Sequence, residues 1–515
     1  MKKKSVLTFL LLLLSFFAFF YFYKLTEIGP EYDESLFVNA ALGCPNPKMF
    51  LHLSYPLGTS CLPVMVMPYQ GATQAYFLRL GFGLFGTSLF TMRFVNFLLT
   101  LLSFLLIFSG VKKTLGTKTA LITILLLVMN PQFLLNARYD RTYIAPLVVR
   151  STAIFVAFYS SPKFNKIKYL LLGFLIGFSI FTKLDGIFLV ISLIAAGLVM
   201  TMLHKKWSSK LIKKGDNIKK IGIQFIAGGI VGVSPLAIYA KTSWQNILAA
   251  IRVTSVEGIV ADGLIQRKVL RLLSQFSSNQ LSNMIFRQDI IQKEVLVLSS
   301  FVFIVFTYIL IKSWNNKGLI TYFVITCVVF YLLLFLYRDL SAPHHIMLIY
   351  PIPQIIVANY LAPAKRASLL TVLIVILLAS FLLSYHGFQK LSSFTCGRTN
   401  WSCTIREIPK HLTINKPVIA GDWGLATQIL LLTKGKKEIN EYIFEADQSS
   451  PELVRAKMNI FKKNCHEFVI FTPEFTRFLV GAEEIRKNVN KDPRYYKTII
   501  QNRERQDFIE IYKCK

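Results

Sequence analysis

Eleven apolar runs, each close to the length that crosses a bilayer, occupy the first three-quarters of this 515-residue chain and leave it little choice of fold. They fall near 5–23, 92–111, 119–136, 143–159, 168–183, 186–203, 220–239, 295–312, 318–336, 345–361 and 367–385. With 54% of its residues hydrophobic and 17% charged, the chain carries more apolar surface than a soluble fold can bury. The expected architecture is an all-α polytopic membrane bundle.

The formal net charge of +31 raises the question of nucleic acid. The basic residues, however, sit in short clusters between the apolar runs, as orientation signals do, and no nucleic-acid partner is expected. Met1-Lys2-Lys3-Lys4 leads into a Leu/Phe run that ends in Phe19-Phe20-Tyr21-Phe22-Tyr23 without a small-x-small cleavage pattern. It reads as an uncleaved first span with a cytoplasmic N-terminus. Alternating sides then puts Lys112-Lys113, Lys163 with Lys166 and Lys168, Lys205 through Lys220, Lys312 with Lys317, and Lys365-Arg366 inside, all basic as the positive-inside rule requires. The outside receives the loop 24–91, the turn 136–142, the loop 240–294 and the turn 338–345.

Residues 62–90 are apolar enough to threaten this count. Pro63, Pro68, Gln70, Gln74 and Arg79 argue against a span, and an interfacial helix pair is expected there. The loop 240–294 reads as polar and amphipathic helix. Residues 1–385 would form the membrane domain. The tail, 386–515, has strand patterns at 416–422, 467–471 and 496–514 and a helix at 425–433, and is expected to be a small α/β domain outside the membrane. Six of seven cysteines, Cys44, Cys61, Cys396, Cys403, Cys465 and Cys514, fall in external segments, which suits an oxidising compartment. Sequence neighbours suggest the pairs Cys44–Cys61, Cys396–Cys403 and Cys465–Cys514.

Four groups can do chemistry at the external edge. Asp33 and Glu34 follow the first span and can supply a general base or bind a divalent ion; acidic pairs are also common in solvated loops. Arg138, Asp140 and Arg141 suit a phosphate headgroup, because guanidinium forks onto phosphate oxygens, although snorkelling anchors would also use arginine. Lys183 and Asp185 lie between two apolar runs with almost no loop, where a charge is costly and has a role or a partner; a mutual salt bridge is the plain alternative. His344 and His345 cap a late turn and can hold phosphate, a proton or an ion, or be a surface pair. No Walker loop, Gly-x-Gly-x-x-Gly or HExxH is present, so cytoplasmic nucleotide is not indicated.

Taken together, the acidic pair after the first span, Pro68 through Tyr76, Leu84-Phe85-Gly86-Thr87-Ser88 through Arg93, Gly173 to Gly177 ending in Phe181-Thr182-Lys183, and His345 through Tyr350-Pro351 resemble the GT-C membrane glycosyltransferases. The likeness is to the dolichyl-phosphate-mannose protein mannosyltransferase and aminoarabinose transferase group, bacterial branch, over roughly residues 1–385. It implies an inverting transferase that takes a sugar from a polyprenyl-phosphate donor to a lipid, glycan or protein hydroxyl. Asp33 would be the base, Glu34 its support and Asp140 a second acid. Arg138, Arg141, Lys183, His344 and His345 would hold the donor phosphate. A divalent ion on Asp33, Glu34 or His345 is left open. The short basic N-terminus and compact loops suit a bacterial plasma membrane, with the tail periplasmic or extracellular; an endoplasmic reticulum membrane fits the same topology. The Cys44–Cys61 insertion departs from the family pattern and leaves the acceptor unspecified. A transporter or flippase would predict broken or charged helices at midmembrane and an inverted repeat. A polysaccharide ligase would rely on a large late external loop. A non-catalytic membrane scaffold with a sensing tail is the third rival reading.

Overall fold

The computed structural model describes residues 3–46, 49, 51–139, 142–159, 167–203, 218–254, 292–314, 318–336, 343–397, 401–422, 424–442, 451–476 and 479–515. Each of the eleven apolar runs coincides with a helix or a broken helix. They are α1 (Lys3–Phe22), with the short α2 (Tyr32–Ser35), α3 (Val38–Ala41) and the 13-residue α4 (Thr73–Phe85) after it, then α5 (Leu89–Leu115), α6 (Thr117–Val128), α7 (Pro131–Tyr139), α8 (Ile144–Phe158), α9 (Lys168–Thr182) and α10 (Gly186–Leu203). They continue as α11 (Ile218–Thr254), α12 (Gln292–Ser313), α13 (Leu319–Leu336), the one-turn α14 (Pro343–Ile346), α15 (Ile352–Leu361) and α16 (Ala367–Thr395). Among the described residues, six helices are long and apolar enough to cross a membrane unaided, and α6 with α7 form a seventh bent by 66°. The chain is a multi-pass membrane protein.

One expectation needed correction. Residues 53–71 are not helical: β1 (Leu53–Leu57), β2 (Ser60–Met67) and β3 (Gln70–Gly71) pair antiparallel, and only α4 supplies the expected interfacial helix. The Leu62–Met67 stretch alternates faces with Val64 and Val66, which suits a half-buried strand, and Gly58 takes the left-handed conformation of the β1–β2 turn. The span expected at 220–239 lies in α11, and past a kink at Ser243 the helix continues to Thr254, within the loop where polar and amphipathic helix was expected; residues 255–291 of the loop lie outside the described set.

The tightest helix pair is α9 with α11. Gly173 and Gly177 of α9 face the backbone of Phe225 and Gly229, and Gly228 and Gly232 of α11 face that of Leu170 and Phe174, so closely that no Cβ fits. In lipid, where apolar burial alone does not hold helices together, such small-residue contact replaces it. Gly177→Leu should therefore cost about 1–3 kcal/mol or more, read as a lower melting temperature in detergent. Gly222→Leu, where an added Cβ meets nothing, should melt like the parent.

The tail is a five-stranded sheet in the order β5-β4-β6-β8-β7: β4 (Val418–Ala420), β5 (Ile439–Glu441) and β6 (Glu467–Phe471) are parallel, and β7 (Tyr495–Gln501) with β8 (Asp507–Cys514) close it antiparallel. Helices α17 (Leu425–Leu432), α18 (Pro451–Lys463) and α19 (Leu479–Val489) complete it. The three cysteine pairs suggested by sequence are bonded, with Cα–Cα separations of 5.8, 5.4 and 5.4 Å. Cys327 is buried and unbonded.

Candidate active site

The segment Glu31–Ser35 folds into α2 because Glu31 accepts from the backbone N–H groups of Asp33 and Glu34 while the Glu34 side chain accepts from the Glu31 N–H. The two neighbouring acids then separate in role. Glu34 is fully buried and lays both oxygens on Arg93, at 2.6 and 2.7 Å. The other Arg93 donors reach the carbonyls of Leu25, Ile28 and Gly29 at 2.5, 3.0 and 2.9 Å. One guanidinium from α5 thereby fixes the chain that leaves α1. Asp33, beside this locked pair, is only half-buried.

A second acidic centre forms from elements far away in sequence. Asp185, in the turn between α9 and α10, accepts from His345 Nδ1 at 2.9 Å, and the Tyr143 hydroxyl stands 3.3 Å from the same oxygen and 3.0 Å from His345 Nδ1. Lys183 is buried, 3.9 Å from Asp185, with its ammonium 4.0 Å from the centre of the Tyr143 ring. The turn is pinned by the Leu184 N–H on the Tyr69 carbonyl at 2.9 Å, and Gln70 donates to the Thr142 carbonyl at 3.3 Å. Burial raises the Tyr69 phenol, and the negative charges of Asp33 and Asp185 raise it further, so this ring lies within electrostatic reach of both acids. Lys183, Asp185, His345 and Tyr143 therefore meet in one cluster, and Tyr69 stands within electrostatic reach of both Asp185 and Asp33.

The structure does not bring Arg138 into this cluster. It is buried, donates to the carbonyls of Phe20 and Tyr23 at 2.9 Å each, and packs between Tyr139 and Phe388. Asp140, Arg141 and Arg338 lie outside the described residues, as does the His344 side chain. Among the described residues no group of three or more His, Cys, Asp or Glu side chains is placed to hold a metal. With both Glu34 oxygens on Arg93, those residues do not fit a divalent-ion site built from Asp33, Glu34 and His345. Sequence reasoning passed over Tyr69 and Tyr143, aromatic residues with no charge to flag them. It singled out Asp185 together with Lys183 but gave it no catalytic or phosphate-binding role.

The tail closes one wall. Ser35 and Thr427 hydroxyls are 2.8 Å apart, Gln428 donates to the Pro30 carbonyl at 2.6 Å, and the Ile439 N–H donates to Asn46 at 3.0 Å. Gly424 takes a positive φ of 80° against the Tyr32 ring, where a Cβ would collide. Glu441, at the end of β5, lies within electrostatic reach of Tyr32, which in turn senses Asp33. Burial lifts the Glu441 carboxyl well above the usual carboxylate range, and its Oε1 has no partner among the described residues.

The sequence profile of the dolichyl-phosphate-mannose-protein mannosyltransferase family matches residues 71–238, a stretch that includes α4, Arg93, Tyr143, Lys183 and Asp185. No curated protein sequence matches the chain. The fold is similar to ArnT from Cupriavidus metallidurans bound to undecaprenyl phosphate, with a TM-score of 0.65 at 11% identity over 99% of this chain and 98% of that one. The apo form of that protein gives 0.63 at 10% identity, covering 98% of each chain. An oligosaccharyltransferase from Archaeoglobus fulgidus in the apo form gives 0.53 at 10% identity, over 92% of this chain and 70% of its own. This chain has the fold of the GT-C membrane glycosyltransferases and resembles, within it, the ArnT and protein mannosyltransferase group.

Proposed function

We propose that the protein transfers a sugar from a polyprenyl-phosphate carrier to an acceptor hydroxyl at the external face of a bacterial plasma membrane. The observation that carries this reading is the Lys183–Asp185–His345–Tyr143 cluster, whose acid shares with Asp33 an electrostatic reach to Tyr69. An acceptor oxygen attacks the anomeric carbon as Asp33 takes its proton, and the bond from that carbon to the carrier phosphate breaks with inversion. The carrier leaves as polyprenyl phosphate, with the charge that develops on it stabilised by Lys183 and by His345 when protonated. Asp185 orients His345 and holds Lys183 in place. Three disulfides, in the first loop, after α16 and in the tail, support an oxidising compartment on the side of Asp33. An ArnT bound to undecaprenyl phosphate supports the carrier class. Purified protein given radiolabelled polyprenyl-phosphate sugars and membrane acceptors should move label onto the acceptor fraction. If no such donor is consumed, the transferase reading fails.

A further inference from the structure

Arg150 lies in the apolar run of α8 and plays no part in the scheme above. It is 6% exposed, and among the described residues its one hydrogen bond is from Nη2 to the Met347 carbonyl at 3.2 Å. Among those residues Nε and Nη1 are buried with no partner, and no carboxylate pairs with the guanidinium. An unpaired charge inside a bundle is among the most costly things a membrane helix can carry, and where one persists it marks a binding or transport function.

Its position says what kind of ligand would balance it. Arg150 follows Tyr143 by two helical turns, roughly 10 Å along α8 and on the same face. Helical side chains lean toward the N-terminal end of their helix, so the guanidinium reaches back toward Tyr143. That phenol stands within electrostatic reach of it. Met347, which takes its one bond, follows His345 by two residues. Arg150 therefore sits next to the Tyr143–Asp185–His345 cluster. The acid in that cluster is already engaged by His345 and Lys183. Among the described residues none is left to balance Arg150, and an anion from outside the chain would do so.

We propose that Arg150 forms part of an anion subsite next to Tyr143 and His345 and binds the phosphate monoester of a lipid carrier. Guanidinium is suited to phosphate because its charge is always present and its N–H donors match phosphate oxygens. The assignment rests on the transferase reading but is separable from it. Without ligand, Arg150 is an unbalanced charge and a source of instability; with ligand, it adds to affinity.

The full-length protein in nanodiscs, titrated with undecaprenyl phosphate and separately with inorganic phosphate, tests this by thermal melting and by binding isotherm. Wild type should be stabilised by undecaprenyl phosphate and not by inorganic phosphate at equal concentration. Arg150→Leu should melt at or above the wild-type temperature without ligand, yet bind undecaprenyl phosphate at least tenfold more weakly. Arg150→Lys should keep an intermediate affinity. If wild type binds and both variants bind equally well, or if Arg150→Leu loses ligand-free stability, Arg150 is a packing residue and the subsite is wrong. Equal protection by inorganic phosphate would overturn the lipid assignment. If wild type itself ignores undecaprenyl phosphate, the failure belongs to the proposed function.

Discussion

Asp33→Asn should leave a folded, inserted protein that has lost transfer, by about 10²–10⁴-fold in kcat, the range that removal of a general base commands. The side chain keeps its size, and the α2 capping contacts run through Glu31 and Glu34, so the melting temperature should not move. Radiolabel transfer at saturating donor is the measurement. Residual activity above a tenth of wild type would place the base elsewhere, and Asp185, which also lies within electrostatic reach of Tyr69, would be next to test.

Glu34→Ala should give the opposite phenotype, a stability defect first. Its carboxylate is the acid seen on Arg93, and both side chains are fully buried. Truncating one member of a buried pair leaves the other charge uncompensated and costs about 3–5 kcal/mol. Little Glu34→Ala protein should be recovered from membranes, and what is recovered should melt well below wild type. Arg93→Met combined with Glu34→Ala should restore part of that loss, because the lone charge is gone. Recovery stays partial, since the carbonyls of Leu25, Ile28 and Gly29 also lose their donor. A double variant no better than Glu34→Ala would show that the carbonyl contacts, and not the unpaired charge, dominate.

Much of the architecture was legible because it follows from local pattern. Apolar run length located the helices, and in the tail the expected strand at 467–471 and helix at 425–433 appear as β6 and α17 within a residue. The cysteine pairs could be read because two of the three join residues close in sequence, 17 and 7 positions apart. The hairpin at 53–71 was misread because its apolar content matched a surface helix as well as a strand, and only pairing across a turn decides between them. At the site, single charges near apolar runs drew attention to Asp33, Lys183 and His345. What sequence could not show was partnership: that Glu34 is spent on Arg93, that Asp185 answers to His345, that Arg138 is held by carbonyls of α1 and its exit. Those are long-range contacts, set by tertiary packing rather than by neighbours along the chain. Arg150, a lone charge in the 143–159 run, drew no such attention.

The contact between α2 and α17 also bears on how the protein is made. Ser35 and Thr427 are separated by 392 positions, and Pro30 and Gln428 by 398. At about 5–20 residues per second, ribosomes deliver the second half of that wall roughly 20–80 s after the first. Through that interval the nascent chain already carries Asp33, but the turn that holds it has no backing. The chain thus cannot assemble this wall of the site until residues Thr427 and Gln428 have been made.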